Sequence, residues 1–458
     1  MIVFVDLILY WRMFSQIDRQ LIGIISKQTR TSELFINLLM KMISCGQLTV
    51  FVLTFLGYAG LHSMRTSWSY SKKLLQNTGD AELTNQNLGV ADTVFMLSYS
   101  FGLAFIGPLG DRINRKFFIA VGYYTCALAF LVYPLCRLLT DQSSVWILII
   151  FLGVNGLGEC VGMPGSIGVL SRWFRPENRG LIIGIWAGCL PFGNILGLMS
   201  STVITQYIEL SWHYNFIFTG TYTLIFATAI LIFLRPKPEI EEGEKLLLIR
   251  SVEPGSVAAD EPPMKKYNLI TCLTIPRVIP YTITYSCLKS SIYGLLFWLP
   301  KYINEKGMTT QSGYIPMMMD IGTLIGGITI GYLGDVIKKR SIFLAPFIFF
   351  SCVMMLIALL ILDTEPIPYF FVIFLMGIGL GGPYNIVGTV VALDLASQDC
   401  LKGNKKVIST ITALIDASGA LCSAATQFLL SSIPNDWIFA VFTIYTFLAA
   451  VALLPLTI

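Results

Sequence analysis

Long apolar stretches recur from one end of this chain to the other, broken by short polar connections. Each is about the length that a helix needs to cross the ~30 Å hydrocarbon layer of a bilayer. They are continuous rather than alternating, which is the pattern of helices and not of half-buried strands. In lipid the backbone must bond to itself, so a run of such segments means a helical bundle. Twelve spans are predicted. The first six cover 45–67, 90–109, 117–138, 145–168, 180–203 and 213–234. The second six cover 278–299, 314–334, 341–362, 367–391, 407–431 and 437–456. Between the sets lies a polar stretch with Pro236-Lys237-Pro238, acids at Glu239, Glu241, Glu242 and Glu244, and Glu261-Pro262-Pro263, a linker composition. The predicted organisation is an N-terminal segment at 1–44, a six-helix bundle at 45–235, a linker at 236–277 and a second six-helix bundle at 278–458.

Composition sharpens this. Hydrophobic residues make up 55% of the chain and charged residues only 13%. A soluble domain carries about 25% charged residues. The fold class is therefore an all-α membrane protein of twelve transmembrane helices. Lys and Arg divide unevenly between its two faces. One face takes Arg12, Arg19, Lys27, Arg30 and Lys41, then Arg112, Arg115 and Lys116, then Arg172, Arg175 and Arg179. The linker from Arg235 to Arg277, the run Lys338 to Arg340, and Lys402, Lys405 and Lys406 bring it to 24. The other face has Lys72, Lys73, Arg137, Lys301 and Lys306. Positive charge stays in the cytoplasm, so both termini and the linker are expected there. The first 40 residues contain Asp6 and Arg12 and no small-residue cleavage site, which predicts a helix lying in the membrane interface rather than a signal peptide.

The chain also repeats itself. Gly107, Leu109, Gly110 and Asp111, after span 2, recur at one constant offset as Gly331, Leu333, Gly334 and Asp335, after span 8. Gly156-Leu157-Gly158 recurs as Gly379-Leu380-Gly381 at an offset only one position shorter. This predicts two six-helix halves related by an axis along the membrane normal, with a binding site between them near the midplane. Asp111 can accept charge-assisted hydrogen bonds across a bundle, and such bonds must break when the halves rock. Asp111, Arg112, Arg115 and Asp335 are accordingly the expected gating residues.

Two cations fall inside predicted spans or at their edge, Arg65 and Lys289. A cation in a membrane costs roughly 2.5–3.5 kcal/mol on the lenient insertion scale, so each marks a functional site. They stand apart by the same offset that separates Asp111 from Asp335, and so occupy equivalent places in the two halves. Paired cations suit a doubly charged anion. Arg65 can hold phosphate bidentately, while Lys289 acts as a compact charge. Lys289 pairing with Asp320, and Arg65 with Glu159, is the alternative; Asp416 is a third buried acid. Lys72 lies two helical turns beyond Arg65, either drawing anions inward or snorkelling to the interface. His62, Tyr99, Tyr293, Tyr384 and Asn385 complete the candidate site as cavity groups.

The remaining chemistry excludes more than it adds. Cysteines such as Cys126, Cys160, Cys287, Cys352 and Cys422 sit in apolar runs and read as small hydrophobes. With only His62 and His213, no histidine metal site is expected, and there is no phosphate-binding loop, cofactor motif or nucleophile–base pair. Neither an enzyme nor an ATP-driven pump is expected, and no cofactor.

The loop from Gly107 to Lys116 resembles the signature of the major facilitator superfamily. Gly184–Gly197, Leu401–Asp416, Lys289–Pro300 and Gly382-Pro383-Tyr384 resemble the sugar-phosphate/phosphate exchangers, relatives of the glucose-6-phosphate translocase and the bacterial glycerol-3-phosphate antiporter. His62-Ser63-Met64-Arg65 is similar to that family's first-helix segment with its phosphate-binding arginine, and Lys289 falls at its second-half basic position. The resemblance covers nearly everything after residue 45. It implies exchange of an organophosphate for inorganic phosphate by alternating access, by a monomer in an endomembrane, the endoplasmic reticulum first. The sequence departs from the family at Thr66, commonly basic, at Cys189, commonly histidine, and at Leu103, a lysine in the bacterial antiporters and the translocase branch. The last places it nearer the other sugar-phosphate exchangers. A proton-coupled symporter using Asp320, Glu159 or Asp416, and a transporter-shaped sensor that no longer cycles, are the competing functions.

Overall fold

The computed structural model describes residues 44–106, 113–140, 145–174, 182–238, 269–336, 341–361, 366–388, 395 and 405–457. Every long element among them is a helix. In chain order these are α1 (Cys45–Gln76), α2 (Asn85–Phe105), α3 (Arg115–Thr140), α4 (Val145–Trp173), α5 (Cys189–Thr202) and α6 (His213–Phe233). Then come α7 (Val278–Glu305), α8 (Gln311–Val336), α9 (Ser341–Leu360), α10 (Pro366–Ile386), α11 (Lys405–Ser432) and α12 (Ile438–Thr457). The twelve predicted spans and these twelve helices correspond one to one. The N-terminal segment and the linker lie outside the described residues.

Two compact units are distinguished, Met1–Phe51 and Val52–Ile458. In the first, Ser44 explains where α1 starts. Its hydroxyl accepts from the Gln47 amide at 3.2 Å, and the Gln47 side chain accepts from the Ser44 amide at 2.8 Å. This reciprocal capping box satisfies two orphan helix-end donors. The second unit holds the rest of α1, from Val52, and all the other helices.

Among the described residues, eleven helices are long and apolar enough to cross a membrane. The twelfth, α7, is 28 residues long but carries Lys289 and Lys301 within a largely buried surface. The distribution of polarity is inverted relative to a soluble protein. Leu360 is 82% exposed, Ile328 75% and Trp146 68%, whereas Lys72, Asp92 and Arg65 are buried. Lipid solvates the first group; the second must find partners inside.

α1 runs on to Gln76, well past its predicted end at 67. The Lys72-Lys73 pair reads as the end of an apolar run, yet Lys72 is buried against α2, so the helix continues.

The glycine repeat shows how the halves match. A Cβ on Gly156 of α4 would strike the Phe95 carbonyl of α2, and one on Gly377 of α10 would strike the Met319 carbonyl of α8. Phe95 and Met319 stand at the same offset as Arg65 and Lys289. Gly158 abuts α3 at Cys126, and Gly379 abuts α9 at Ser351. The counterpart of Gly156 is thus Gly377, not Gly379, and that of Gly158 is Gly379. The sequence match of Gly156-Leu157-Gly158 to Gly379-Leu380-Gly381 slips by two positions, because a Gly-x-Gly pattern recurs through Gly377-Ile378-Gly379-Leu380-Gly381. Small residues at these crossings let backbones approach closely, which drives helix association in lipid.

Across the halves, α2 packs along α11 and α5 along α8. Among the described residues, the polar contacts across the halves run from mid-helix toward the end that bears Gln76 and Glu305. There Tyr314 of α8 donates to Tyr207 at 3.2 Å, and Lys73 of α1 lies 3.8 Å from Glu305 of α7. That face is closed.

Candidate substrate site

Two helices supply most of the site, each along one stripe. On α7 the residues Tyr285, Lys289, Tyr293, Phe297 and Lys301 recur every fourth position. On α1, His62, Arg65, Ser69 and Lys72 recur at alternating steps of three and four. Both spacings keep side chains on one helical face. The stripes meet. Arg65 Nη1 donates to the Tyr293 hydroxyl at 2.7 Å, and Ser69 Oγ donates to the Phe297 carbonyl at 2.9 Å.

Arg65 and Lys289 share two aromatic walls. The Arg65 guanidinium carbon lies 5.2 Å from the Tyr99 ring centroid and 5.0 Å from that of Tyr293. The Lys289 ammonium lies 5.3 and 5.7 Å from the same two rings. All four distances are within cation–π range. Two cations equivalent by the repeat therefore sit in one cage, at 2% and 1% exposure.

Each cation has an acid. Arg65 Nε is 2.6 Å from Glu159 Oε1 on α4, and Lys289 Nζ is 2.6 Å from Asp416 Oδ1 on α11. Of the two pairs in the alternative reading, Arg65–Glu159 is formed and Lys289–Asp320 is not. Asp416 is brought to Lys289 because α11 packs on α7, and Tyr285 Oη steadies it with a 3.0 Å bond to the same oxygen. Asp320 on α8 faces α5 instead, where Asn194 Nδ2 donates to it at 2.7 Å. Tyr384 stacks on Tyr285 at 5.2 Å, and Asn385 is half-buried one position on.

The Arg65–Glu159 contact is close but lies outside hydrogen-bond alignment. Arg65 Nη2 and Glu159 Oε2 are left buried without a protein partner, as is His62 Nε2. Buried donors in proteins are almost always bonded, so each such atom calls for a partner. A guanidinium with an unused edge, beside a second cation, is equipped to take an anion's oxygens.

Lys72 is placed differently from either expectation. It neither snorkels nor faces open solvent. It is fully buried and forms an ion pair with Asp92 of α2, whose other oxygen accepts from Trp68 Nε1 at 2.8 Å. Lys72 also donates to the Phe297 carbonyl at 3.0 Å. Pro300 removes the amide that would bond the neighbouring Leu296 carbonyl, so the helical ladder is open here. Sequence reasoning missed Asp92, Trp68, Asn194 and Tyr285. Asp92 was detectable as an acid inside an apolar run, and Tyr285 as the residue one turn before Lys289.

Of the expected gating residues, Asp111 and Arg112 lie outside the described residues, and the side chain of Asp335 does as well. Arg115 donates to the Gly168 carbonyl of α4.

The family model of the major facilitator superfamily matches residues 32–399. The chain belongs to the major facilitator superfamily. Within the superfamily it stands with the sugar phosphate exchangers. It is 30% identical to sugar phosphate exchanger 3 of Mus musculus, over 91% of this chain and 94% of that one. It is 27% identical to putative glycerol-3-phosphate transporter 5 of Arabidopsis thaliana, over 84% and 85%. Among solved structures it is similar to the xylose transporter XylE of E. coli, with a TM-score of 0.65 at 12% identity, over 89% of this chain and 97% of that one. That likeness carries the major facilitator fold and no more.

Proposed function

We propose that this protein exchanges an organophosphate for inorganic phosphate across a membrane by alternating access, with Arg65 and Lys289 holding the phosphoryl group of either substrate. The carrying observation is the shared cage. Two buried cations, equivalent by the repeat, face Tyr99 and Tyr293 together, and Arg65 Nη2 has no protein partner. The names of the relatives, a sugar phosphate exchanger and a glycerol-3-phosphate transporter, support the substrate class. Physics supports exchange over one-way transport. Glu159 and Asp416 neutralise the empty site through imperfect or partly exposed contacts, and an entering phosphate replaces them as counter-charge. In the empty site Arg65 Nη2 and Glu159 Oε2 stay buried without partners, so its reorientation is disfavoured relative to that of the phosphate-loaded site.

The N-terminal six helices at 45–235 and the C-terminal six at 278–458 act as the rocking units. Ser69, Lys72 and Phe297 close the Gln76 face, and Asp111, Arg112, Arg115 and Asp335 latch the opposite face. The Lys and Arg distribution supports placing the latter face in the cytoplasm. His62, Tyr384 and Asn385 line the route beside the cage. We place the protein in an endomembrane, with the endoplasmic reticulum first, as a monomer.

Ligand-induced stabilisation tests this without a transport assay. A ligand present at 100 times its Kd adds about 2.7 kcal/mol to stability. Inorganic phosphate, glycerol-3-phosphate and sugar phosphates should raise the melting temperature of the purified protein, and glycerol and glucose should not. Equal shifts by the neutral compounds would overturn the assignment.

A further inference from the structure

Asp320 stands apart from the other acids inside the bundle among the described residues. Glu159, Asp416 and Asp92 each have a cation. Asp320 is 5% exposed in the middle of α8, and its polar partner among the described residues is the neutral Asn194 amide at 2.7 Å. The charged groups on the surrounding helices are already engaged. Arg65 of α1 is held by Glu159 and Tyr293, and Lys289 of α7 by Asp416. Tyr293 of α7 accepts from Arg65, Tyr384 of α10 stacks on Tyr285, and Cys189 of α5 is a buried free thiol. Against α8, α10 presents Gly377, Ile378 and Gly381, which carry no charge.

The bridge continues into α1. Asn194 Nδ2 is committed to Asp320, so its Oδ1 faces His62 Nδ1 at 3.2 Å as an acceptor. The assignment follows from the bonding pattern. His62 Nδ1 therefore carries hydrogen, and Nε2, buried and without a protein partner, is left as the basic nitrogen. A second proton there would set a positive charge one turn from Arg65. The result is a chain of carboxyl, amide and imidazole that joins the last six helices to the first six.

We propose that Asp320 is a proton-binding site whose occupancy is coupled to the transport cycle, with the Asn194–His62 bridge as the coupling element. An ionised carboxylate with one neutral donor and no cation is strongly disfavoured inside a membrane protein. In the arrangement closed at the Gln76 face, Asp320 holds a proton. Alternating access moves α8 relative to α1 and α5, which parts Asn194 from Asp320. Water then reaches the carboxyl, and the proton leaves to it; reclosure requires a proton to be taken up again. Proton occupancy and conformation are thereby linked, each biasing the other. Release and uptake both occur through the opened Gln76 face, so each opening and reclosure takes Asp320 through one deprotonation and one reprotonation. The coupling rests on the exchange reading; the proton site itself does not.

Two measurements on the full-length protein test this. The first is infrared difference spectroscopy of wild type against Asp320→Asn in lipid. A carboxylic-acid band at neutral pH that is lost in the variant places the proton on Asp320. Identical spectra would overturn the site. The second is phosphate counterflow in proteoliposomes, read as the ratio of rates at acid and alkaline pH. Wild type is expected to change rate with pH, Asp320→Asn to give a ratio near one, and Asp320→Glu to restore the dependence. The same ratio in wild type and Asp320→Asn would overturn the coupling. Loss of the band together with no counterflow in wild type would support the proton site and instead overturn the exchange on which the coupling rests. Monodisperse elution of both variants excludes misfolding as the cause of either result.

Discussion

The Lys72–Asp92 pair makes a quantitative prediction. Both side chains are fully buried, and the pair ties α1 to α2 while Lys72 reaches the Phe297 carbonyl on α7. Removing one partner of a buried pair strands a charge and costs about 3–5 kcal/mol. Asp92→Asn isolates that effect, because the amide keeps an oxygen for Trp68 Nε1, which now bonds Asp92 at 2.8 Å. Lys72→Met strands the carboxylate instead and also takes a donor from Phe297. The double variant removes both charges. It retains the volume and leaves only imperfect hydrogen bonding, at a cost of roughly 1–3 kcal/mol. The cycle should therefore show a coupling energy of several kcal/mol, with the double variant more stable than either single one. Reversible unfolding in mixed micelles measures all four proteins. A cost below about 1 kcal/mol for Asp92→Asn, or a double variant that costs the sum of the singles, would refute the assignment of a buried ionic tie.

Other outcomes follow from the same contacts. Arg65→Lys keeps the charge but loses the guanidinium fork, so phosphate affinity, read by titration calorimetry, should fall by tenfold or more for a lost charge-assisted bond of about 1.5–3 kcal/mol. Asp416→Asn removes the acid that competes for Lys289, so phosphate should stabilise that variant more than wild type in a melting assay. Gly377→Ala pushes a Cβ into the Met319 carbonyl and should lower the melting temperature. Gly184→Ala meets open space in a helix and should raise it by the equivalent of a few tenths to about 1 kcal/mol.

Much of this was written in the chain at one level and not at the next. Helices were legible because each span must satisfy its own backbone, so their lengths and number follow from apolar runs. Arg65 and Lys289 were legible because charge in lipid is costly and the repeat offset tied them together. Partner choice was not legible. Whether Lys289 meets Asp320 or Asp416 depends on which helix packs on α7, and the apolar faces of α8 and α11 look alike in sequence. Lys72 failed for a related reason: its burial depends on Asp92, an acid on another helix. The glycine register slipped because the run from Gly377 to Gly381 offers two Gly-x-Gly matches, and only the Phe95 and Met319 carbonyls distinguish them.

The central claim is that two buried cations in one cage carry phosphate both ways. The most direct test is counterflow in liposomes loaded with inorganic phosphate, comparing wild type with Arg65→Ala and Lys289→Ala. Saturable uptake of labelled phosphate by wild type, inhibited by sugar phosphates and abolished in both variants, is the predicted result. Folded wild type that shows no phosphate counterflow, or variants that exchange as fast as wild type, would contradict it.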